Sequence, residues 1–375
     1  MFEYRDTLDP LNKNLPLRDK LRAVHEVVQA RFAFVERIAV AVYEPKTDLL
    51  KTYIDSSGED RPLAHYQATL QDAPSLQDVL KSERPRVIND LKVFQASAHE
   101  HTRRILEQGY ASSYTLPMYY NGVFFGFIFF NSYEKDAFQP EVLSHLDVFG
   151  HMISLLIIDE LSAVRTLLAA VKTASDMTHQ RDPETGGHLD RMSRYARLIA
   201  NALAETYDLD DEYIEHVFMF SPLHDIGKIG IPDKILLKPG RLTDSEFEIM
   251  KSHASRGREI VDDILDNFGL EAFQDISLLR NIAEYHHEAI NGTGYPKGLQ
   301  GDDIPLEARV VAVADVFDAL TSRRPYKEAW SNDESFETLR RLAGTKLDLD
   351  CVEALIMNRE QVERIQAQFK EDPFG

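Results

Sequence analysis

Histidines and carboxylates crowd under a third of this chain. Seven of its 13 histidines, His179, His188, His216, His224, His253, His286 and His287, fall between positions 179 and 287. Histidine alone says little, because most are surface or satisfied core residues. Interleaved with carboxylates, it becomes a metal-ligand pattern. Asp182 can cap a helix with Pro183 in its first turn, which sets Glu184 and His188 four apart and facing the same way. His224 and Asp225 are adjacent, at the end of an apolar helix containing Val217, Phe218 and Leu223 that Pro222 is expected to kink. Successive helical side chains diverge by about 100°, so two adjacent ligands embrace one ion only over the helix edge. A carboxylate also has a second oxygen with which to reach a second ion. Gly227 and Gly230 allow backbone to approach a ligand closely, and Lys228 is placed to meet an anion held by metals. His253 follows, then His286-His287-Glu288. Asp315 sits in the apolar run 309–318 and is expected to be a buried carboxylate that needs a partner or a metal. Histidine and carboxylate without cysteine ligands suit Fe, Mn, Ni or Zn at a functional site rather than a structural zinc.

Composition narrows the setting. The chain has 375 residues, 43% apolar and 28% charged, the balance of a folded protein of two or three domains. It can bury a large core without a metal, so a metal would serve chemistry rather than folding. Lys and Arg number 42 against 62 Asp and Glu, a net charge of −20. That excludes the basic footprint of a duplex nucleic-acid binder and disfavours adhesion to anionic membranes. The one cysteine, Cys351, excludes an internal disulfide framework and fits a reducing compartment. The first residues carry no apolar signal core, and the longest apolar stretch near the middle, 152–158, is interrupted by Ser154, ends at Asp159 and is too short to span a bilayer. The expectation is a cytoplasmic protein without membrane insertion.

The elements that must position the ligands follow from periodicity. Residues 20–34 read as a helix, with Leu21, Val24, Val27 and Val28 at helical spacing. Residues 38–43 and 49–54 read as strands, and Arg86-Val87-Ile88 as a short third. Residues 113–120 and 123–130 form a hairpin, because Asn121-Gly122 supplies the positive φ angles of a two-residue turn. Together with the Pro85–Leu91 loop and Gly126 in the last strand, this pattern resembles a GAF domain over about residues 20–150. The resemblance implies a dimerisation platform, with or without a bound small ligand.

From 140 to about 175 the pattern is helical. A heptad frame at 146, 150, 153, 157, 160, 164, 167, 171 and 174 is apolar at seven of nine positions. This predicts a parallel seam between two protomers and hence a homodimer; the alternative is one amphipathic helix packed on its own domain. The expected organisation is a first domain over 1–150, a linker helix over 140–175 and a catalytic domain over 165–375.

The later motifs, His224-Asp225-Ile-Gly-Lys228, His286-His287-Glu288 with Gly294-Tyr295-Pro296, and the run from Asp315 through Arg324 to Lys327, resemble the HD-GYP family of metal-dependent phosphohydrolases. The resemblance spans about residues 165–360. It implies an all-helical bundle, so that the fold class is α+β: a GAF-like antiparallel sheet flanked by helices, joined by a long helix to the bundle. It further implies hydrolysis of cyclic di-GMP to pGpG and GMP. Carried over by position, Glu184, His188, His224, Asp225, His253, His286, His287 and Asp315 resemble the family's metal ligands, with Asp225 as the bridge and Glu184 marking members that hold a third ion. Lys228 resembles the contact to the scissile phosphate, and Tyr295, Arg324 and Lys327 resemble substrate contacts. The family often has Asp where this chain has Asn291, a change expected to alter loop hydrogen bonds without removing a ligand.

Two or three divalent ions, Fe or Mn with Ni or Zn as alternatives, would activate water, neutralise nonbridging oxygens and hold an in-line geometry. Lys228 would add charge stabilisation, and the planar fork of Arg324 would grip a phosphate or a guanine edge. Local cations outweigh a distant, screened net charge, so −20 does not bar an anionic substrate. The rivals are a hydrolase of another cyclic dinucleotide such as cyclic GMP-AMP, a non-catalytic receptor, and a scaffold whose Gly-Tyr-Pro loop docks other signalling proteins. No ligand position is lost, which argues against the silent receptor.

Overall fold

The β-branched and aromatic runs of the first third form one antiparallel sheet. Its strands are β1 (Arg37–Glu44), β2 (Leu49–Asp55), β3 (Gln67–Thr69), β4 (Arg86–Ile88), β5 (Ser112–Tyr120) and β6 (Val123–Ser132), in the order β3-β2-β1-β6-β5-β4. This computed structural model describes residues 6–57, 64–94, 100–179, 186–268, 275–322 and 328–370. The chain divides into two units, 1–164 and 165–375.

β5 and β6 close on Asn121 and Gly122, with φ of 49° and 79° and Tyr120 paired with Val123. This is the two-residue turn whose twist matches that of its strands. Both faces of the central strands are covered, which is why β1 reads as a continuous apolar run and not an alternating one. α1 (Leu17–Arg31) buries Leu21, Val24 and Val28. α2 (Pro74–Ser82) packs Leu76 and Val79 near Phe127, which is fully buried. α2, α3 (Glu100–Glu107) and the edge strand β3 are short elements that the sequence analysis did not anticipate.

α4 (Pro140–His179) departs from expectation. The proposed inter-protomer positions Leu146, Ile153 and Ile157 are each 1% exposed or less, and Gly150 is also buried. A Cβ on Gly150 would lie 2.4 Å from Leu116 of β5, and the Tyr114 hydroxyl donates to Asp147. This face of the helix is therefore taken up by its own sheet and is not available as a seam between protomers. A heptad stripe is equally the stripe an amphipathic helix lays on a sheet. Side chains at 167, 171 and 174 lie outside the described residues. A second correction concerns length. The segment Pro140–Ser162 is long and apolar enough, by length and composition, to cross a membrane, with a mean hydropathy of 1.5 and a third of its window buried. The run 152–158 undercounts it.

The second unit is helical throughout its described residues, apart from two isolated bridges. Its helices are α5 (Gly186–Tyr207), α6 (Asp211–Phe220), α7 (Asp233–Leu236), α8 (Asp244–Phe268), α9 (Ile276–Tyr285), α10 (Leu306–Thr321), α11 (Asn332–Leu342), α12 (Leu349–Met357) and α13 (Arg359–Gln368). α10 is apolar on nearly every side and runs through the middle; Val310, Val311, Val313, Ala314 and Phe317 are fully buried. Phe317 meets Tyr195 of α5 at 5.2 Å and stacks on Phe336 of α11. The stripe Met192, Tyr195, Ile199 and Leu203 is buried as its spacing predicts. Capping is explicit where helices start sharply: Asp210 accepts from Tyr213 N, Asp348 from Cys351 N, and Ser331 with Glu334 forms a capping box.

Candidate metal centre

α6 stops at Phe220, and Pro222 sits at the start of a 3-10 turn, Ser221–Leu223, where its missing N–H costs nothing. The proline thus ends the helix instead of kinking it. His224 and Asp225 follow in the connection to a second short turn, Ile226–Gly230, and their side chains part company. His224 joins His188 of α5 and Asp315 of α10. Asp225 joins His253 of α8 and His286 and His287 at the end of α9. Within each group one ligand atom per residue lies within 4.8 Å of the others.

Asp225 stands between the two groups. Its Oδ2 is 3.1 Å from His224 Nε2 and 2.8 Å from Lys228 Nζ, while its Oδ1 is 3.2 Å from His253 Nε2 and 3.7 Å from His286 Nε2. Asp315 Oδ1 is 3.9 Å from His188 Nε2 and 4.0 Å from His224 Nε2. Burial pushes the Asp225 carboxyl up, but the Lys228 ammonium and the His224 and His253 imidazoles beside it outweigh that, so the group is held well below its usual value.

The outward nitrogens settle how the rings face. Nδ1 of His224, His253 and His286 pairs with the carbonyls of Ser221, Met250 and Ile282 at 2.8–2.9 Å. His188 Nδ1 lies 2.8 Å from Asp318 Oδ2, and Arg191 and Ser322 donate to the same carboxylate. With Nδ1 carrying the proton, every Nε2 turns a lone pair inward. His253 Nε2, His286 Nε2 and Asp225 Oδ1 are buried and have no hydrogen-bond partner among the described residues. Such acceptors are costly to bury together unless a cation joins them. Burial lowers His286 and lowers His287 strongly, keeping both neutral as a metal ligand must be. The donor set, imidazole with carboxylate, fits a divalent transition metal.

Tertiary packing fixes these positions closely. A Cβ on Gly227 would fall 1.9 Å from the carbonyl oxygen of His253, so the Ile226–Gly230 turn lies against the backbone of α8. Gly227 therefore serves helix packing, not backbone approach to a ligand. The Tyr295 ring lies tilted against His287 at 4.8 Å and edge-on to His253 at 6.2 Å, so the Gly-Tyr-Pro loop forms one wall. Glu288 holds that loop by accepting from the backbone N–H groups of Lys297, Gly298 and Leu299. Asn291 accepts from Thr293 N and Oγ1 through its carbonyl oxygen, a role an aspartate would fill equally.

Seven of the eight ligand positions read from sequence come together here. Glu184, Arg324 and Lys327 lie outside the described residues. One expectation is corrected: the Asp315 side chain is 20% exposed at the site, and the fully buried carboxylate of α10 is Asp318. Three residues about α10 could be placed in no role from sequence, namely Asp318, Arg191 and Ser322, because they meet across 127 to 131 residues or one helical turn.

A helical unit with these motifs is what the comparisons find. Residues 172–351 match the HD domain family. The response regulator RpfG of Xanthomonas campestris, named a cyclic di-GMP phosphodiesterase, is 47% identical over 189 residues, covering 50% of this chain and 47% of that protein. A protein of Vibrio cholerae named 3'3'-cGAMP-specific phosphodiesterase 2 is 37% identical over 197 residues, 52% of this chain and 36% of that protein. The chain thus spans about half or less of the length of these relatives. Among solved structures, the GAF domain of an Acinetobacter phosphoenolpyruvate-protein phosphotransferase overlaps 42% of this chain and 91% of its own at 17% identity and a TM-score of 0.32. That likeness adds nothing to what the sheet itself shows.

Proposed function

We infer that the chain is a metal-dependent phosphodiesterase that hydrolyses cyclic di-GMP to pGpG and GMP. The observation that carries this reading is the meeting of seven ligand-type side chains in two groups about Asp225, within a segment that matches the HD domain family. The 47% identity to a cyclic di-GMP phosphodiesterase supports the substrate.

In this reading His188, His224 and Asp315 would hold one ion and His253, His286 and His287 another, with Asp225 a ligand between the two groups. Glu184 would extend the site to a third ion. Bound divalent ions, Fe or Mn first and Ni or Zn otherwise, supply Lewis acidity and a water-derived nucleophile at neutral pH. The chain's own residues do the rest. Asp318 and the backbone carbonyls hold the imidazoles in the tautomer that presents Nε2. Lys228, 2.8 Å from Asp225, stands at the rim to meet a nonbridging phosphate oxygen. Tyr295 walls the site on one side, and Arg324 and Lys327 contact the substrate. A homodimer, a cytoplasmic location and a small ligand at the GAF-like domain complete the proposal; duplex nucleic acid is not a partner.

A second reading, hydrolysis of 3'3'-cGAMP, is favoured by the 37% identity to a phosphodiesterase of that specificity. Metal analysis followed by incubation with each cyclic dinucleotide separates the two. Asp225→Ala should lower the rate by about three orders of magnitude or more, the scale of several kcal/mol of lost charge stabilisation. Full activity in metal-stripped Asp225→Ala protein would refute the mechanism, and linearisation of cyclic GMP-AMP alone would replace the substrate.

A further inference from the structure

The last described helix ends against the outer support of the metal centre. α13 closes at Gln368, and Phe369 is its C-cap. The final carbonyls of a helix have no partner within it and carry the negative end of its dipole. Two arginines of α5 meet this end. Arg191 Nη1 donates to the Phe369 carbonyl at 2.9 Å, and the Arg194 guanidinium lies over the Phe369 ring, 3.9 Å from its centroid. Three residues apart, the two arginines project from one face of their helix. Arg194 is itself held by the carbonyl and carboxylate of Asp190, so the ring rests on a fixed cation. On its other side α13 is tied to α11 by two reciprocal amide bonds of 2.9 Å between Gln366 and Asn332.

Arg191 reaches the centre with the rest of its fork. Its Nε donates to Asp318 Oδ1 at 2.7 Å, and its Nη2 to Asp318 Oδ2 at 2.9 Å and Ser322 Oγ at 2.7 Å. Asp318 Oδ2 in turn lies 2.8 Å from His188 Nδ1. A guanidinium is one rigid plane. Anchoring Nη1 on the Phe369 carbonyl therefore helps to set the plane in which Nε and Nη2 meet the carboxylate. Arg191 is 5% exposed, so little water can replace that anchor, and an unmet buried donor is costly. Without Phe369 in place the plane turns toward another acceptor, and Asp318 loses part of its two-pronged grip.

We propose that Phe369 is a positioning residue of the metal centre. Docked on α5 by its carbonyl and its ring, it keeps Arg191 in the plane that orients Asp318, and Asp318 keeps the His188 ring turned with Nε2 inward. The effect is confined to the group of His188, His224 and Asp315. His253 and His286 take their outer bonds from the backbone carbonyls of Met250 and Ile282, within their own helical segments. The inference rests on the metal-centre reading and not on the identity of the substrate.

The test titrates Co(II) into the full, chelator-stripped chain against a competing metal dye. His188→Gln and His253→Gln identify which binding step belongs to which group. Phe369→Ala should weaken the step lost in His188→Gln about tenfold, the lower end of what an outer-shell partner contributes. It should leave the step lost in His253→Gln unchanged, whereas a merely structural role would lower both. Phe369→Tyr keeps the ring and the carbonyl and should bind as the parent does. In an Asp318→Asn background Phe369→Ala should have no further effect, because it acts through that carboxylate. If Phe369→Ala does not fold, Arg194→Gln removes the support of the ring with Phe369 in place, and the same results are expected of it. The proposal is overturned if the variant tested leaves the affinity unchanged, if both steps weaken alike, or if its loss adds to that of Asp318→Asn. A parent chain that binds no Co(II) sinks the metal-centre reading as well; a parent that binds but is indifferent to Phe369 sinks this inference alone.

Discussion

Asp225 turns one oxygen toward His224 and Lys228 and the other toward His253 and His286. Around it, second partners decide what each ring can do. Asp318 is buried, 2.8 Å from His188 Nδ1, and tied to Arg191. Replacing it with Asn keeps the volume but removes the charge that fixes the His188 tautomer, so Asp318→Asn should weaken metal affinity about 10- to 100-fold. Competition with a metal-sensitive dye measures this; unchanged affinity would show that His188 orients itself. The metal-free protein should also respond to pH in a defined direction. Burial holds His286 and His287 below 6.5 in the folded state, so below that value the unfolded chain binds more protons. The stability these residues permit is full above about 6.5 and falls as the pH drops through that value toward their folded pKa. Asp225, held below 3.8, contributes stability above that value and loses it only as the pH falls further. Melting of chelated protein should therefore weaken from neutral to mildly acidic pH, before any carboxylate effect. A flat profile over that interval would contradict neutral buried imidazoles.

At the scale of elements, α4 shows how a periodic stripe misleads. Its apolar face is legible in sequence, but what covers that face is not, because a sheet and a second helix ask for the same spacing. Leu146, Ile153 and Ile157 pack within the chain, whereas Val148 and Leu155, seven apart, are 68% and 66% exposed. A dimer through this helix would have to use the latter face. Ile153→Glu should cost stability of about 3 kcal/mol or more, by burying an unpaired carboxylate where a hydrocarbon packs. Leu155→Glu should leave the melting temperature nearly unchanged while lowering the mass found by light scattering. A variant at Leu155 that stays dimeric would move the interface elsewhere. The Gly-Tyr-Pro loop is the opposite case: its residues are plain in sequence, and its shape comes from three backbone N–H groups gathered by Glu288.

At the scale of the molecule, the chain holds two units with separate cores, the sheet about Phe127 and Phe130 and the helices about α10. Metal bound in the second unit stabilises only the state that contains a formed site. Calorimetry should then resolve two transitions, of which chelation lowers one. The same transition should persist in a fragment starting near residue 165. One transition that shifts as a whole would mean that the units unfold together. The net charge of −20 would be no obstacle to the proposed anionic substrate at a site holding metal ions beside Lys228, since distant carboxylates are screened over about 10 Å.

Local chemistry was legible from sequence wherever it depends on neighbours along the chain. The Asn121-Gly122 turn needs only positive φ, the β1 and β6 runs need only β-branched and aromatic residues, and the buried stripe of α5 needs only a period. The ligand types at His188, His224, Asp225, His253, His286, His287 and Asp315 were legible in the same way, as residues and motifs. Their grouping was not. Which imidazole shares a centre with which carboxylate depends on α5, α8, α9 and α10 crossing at one point, and on Gly227 letting a turn rest against His253. Asp318 rather than Asp315 is the buried carboxylate because of where α10 faces α5, 127 residues away. Such pairings arise from long-range packing of whole elements, and no local preference in the chain encodes them.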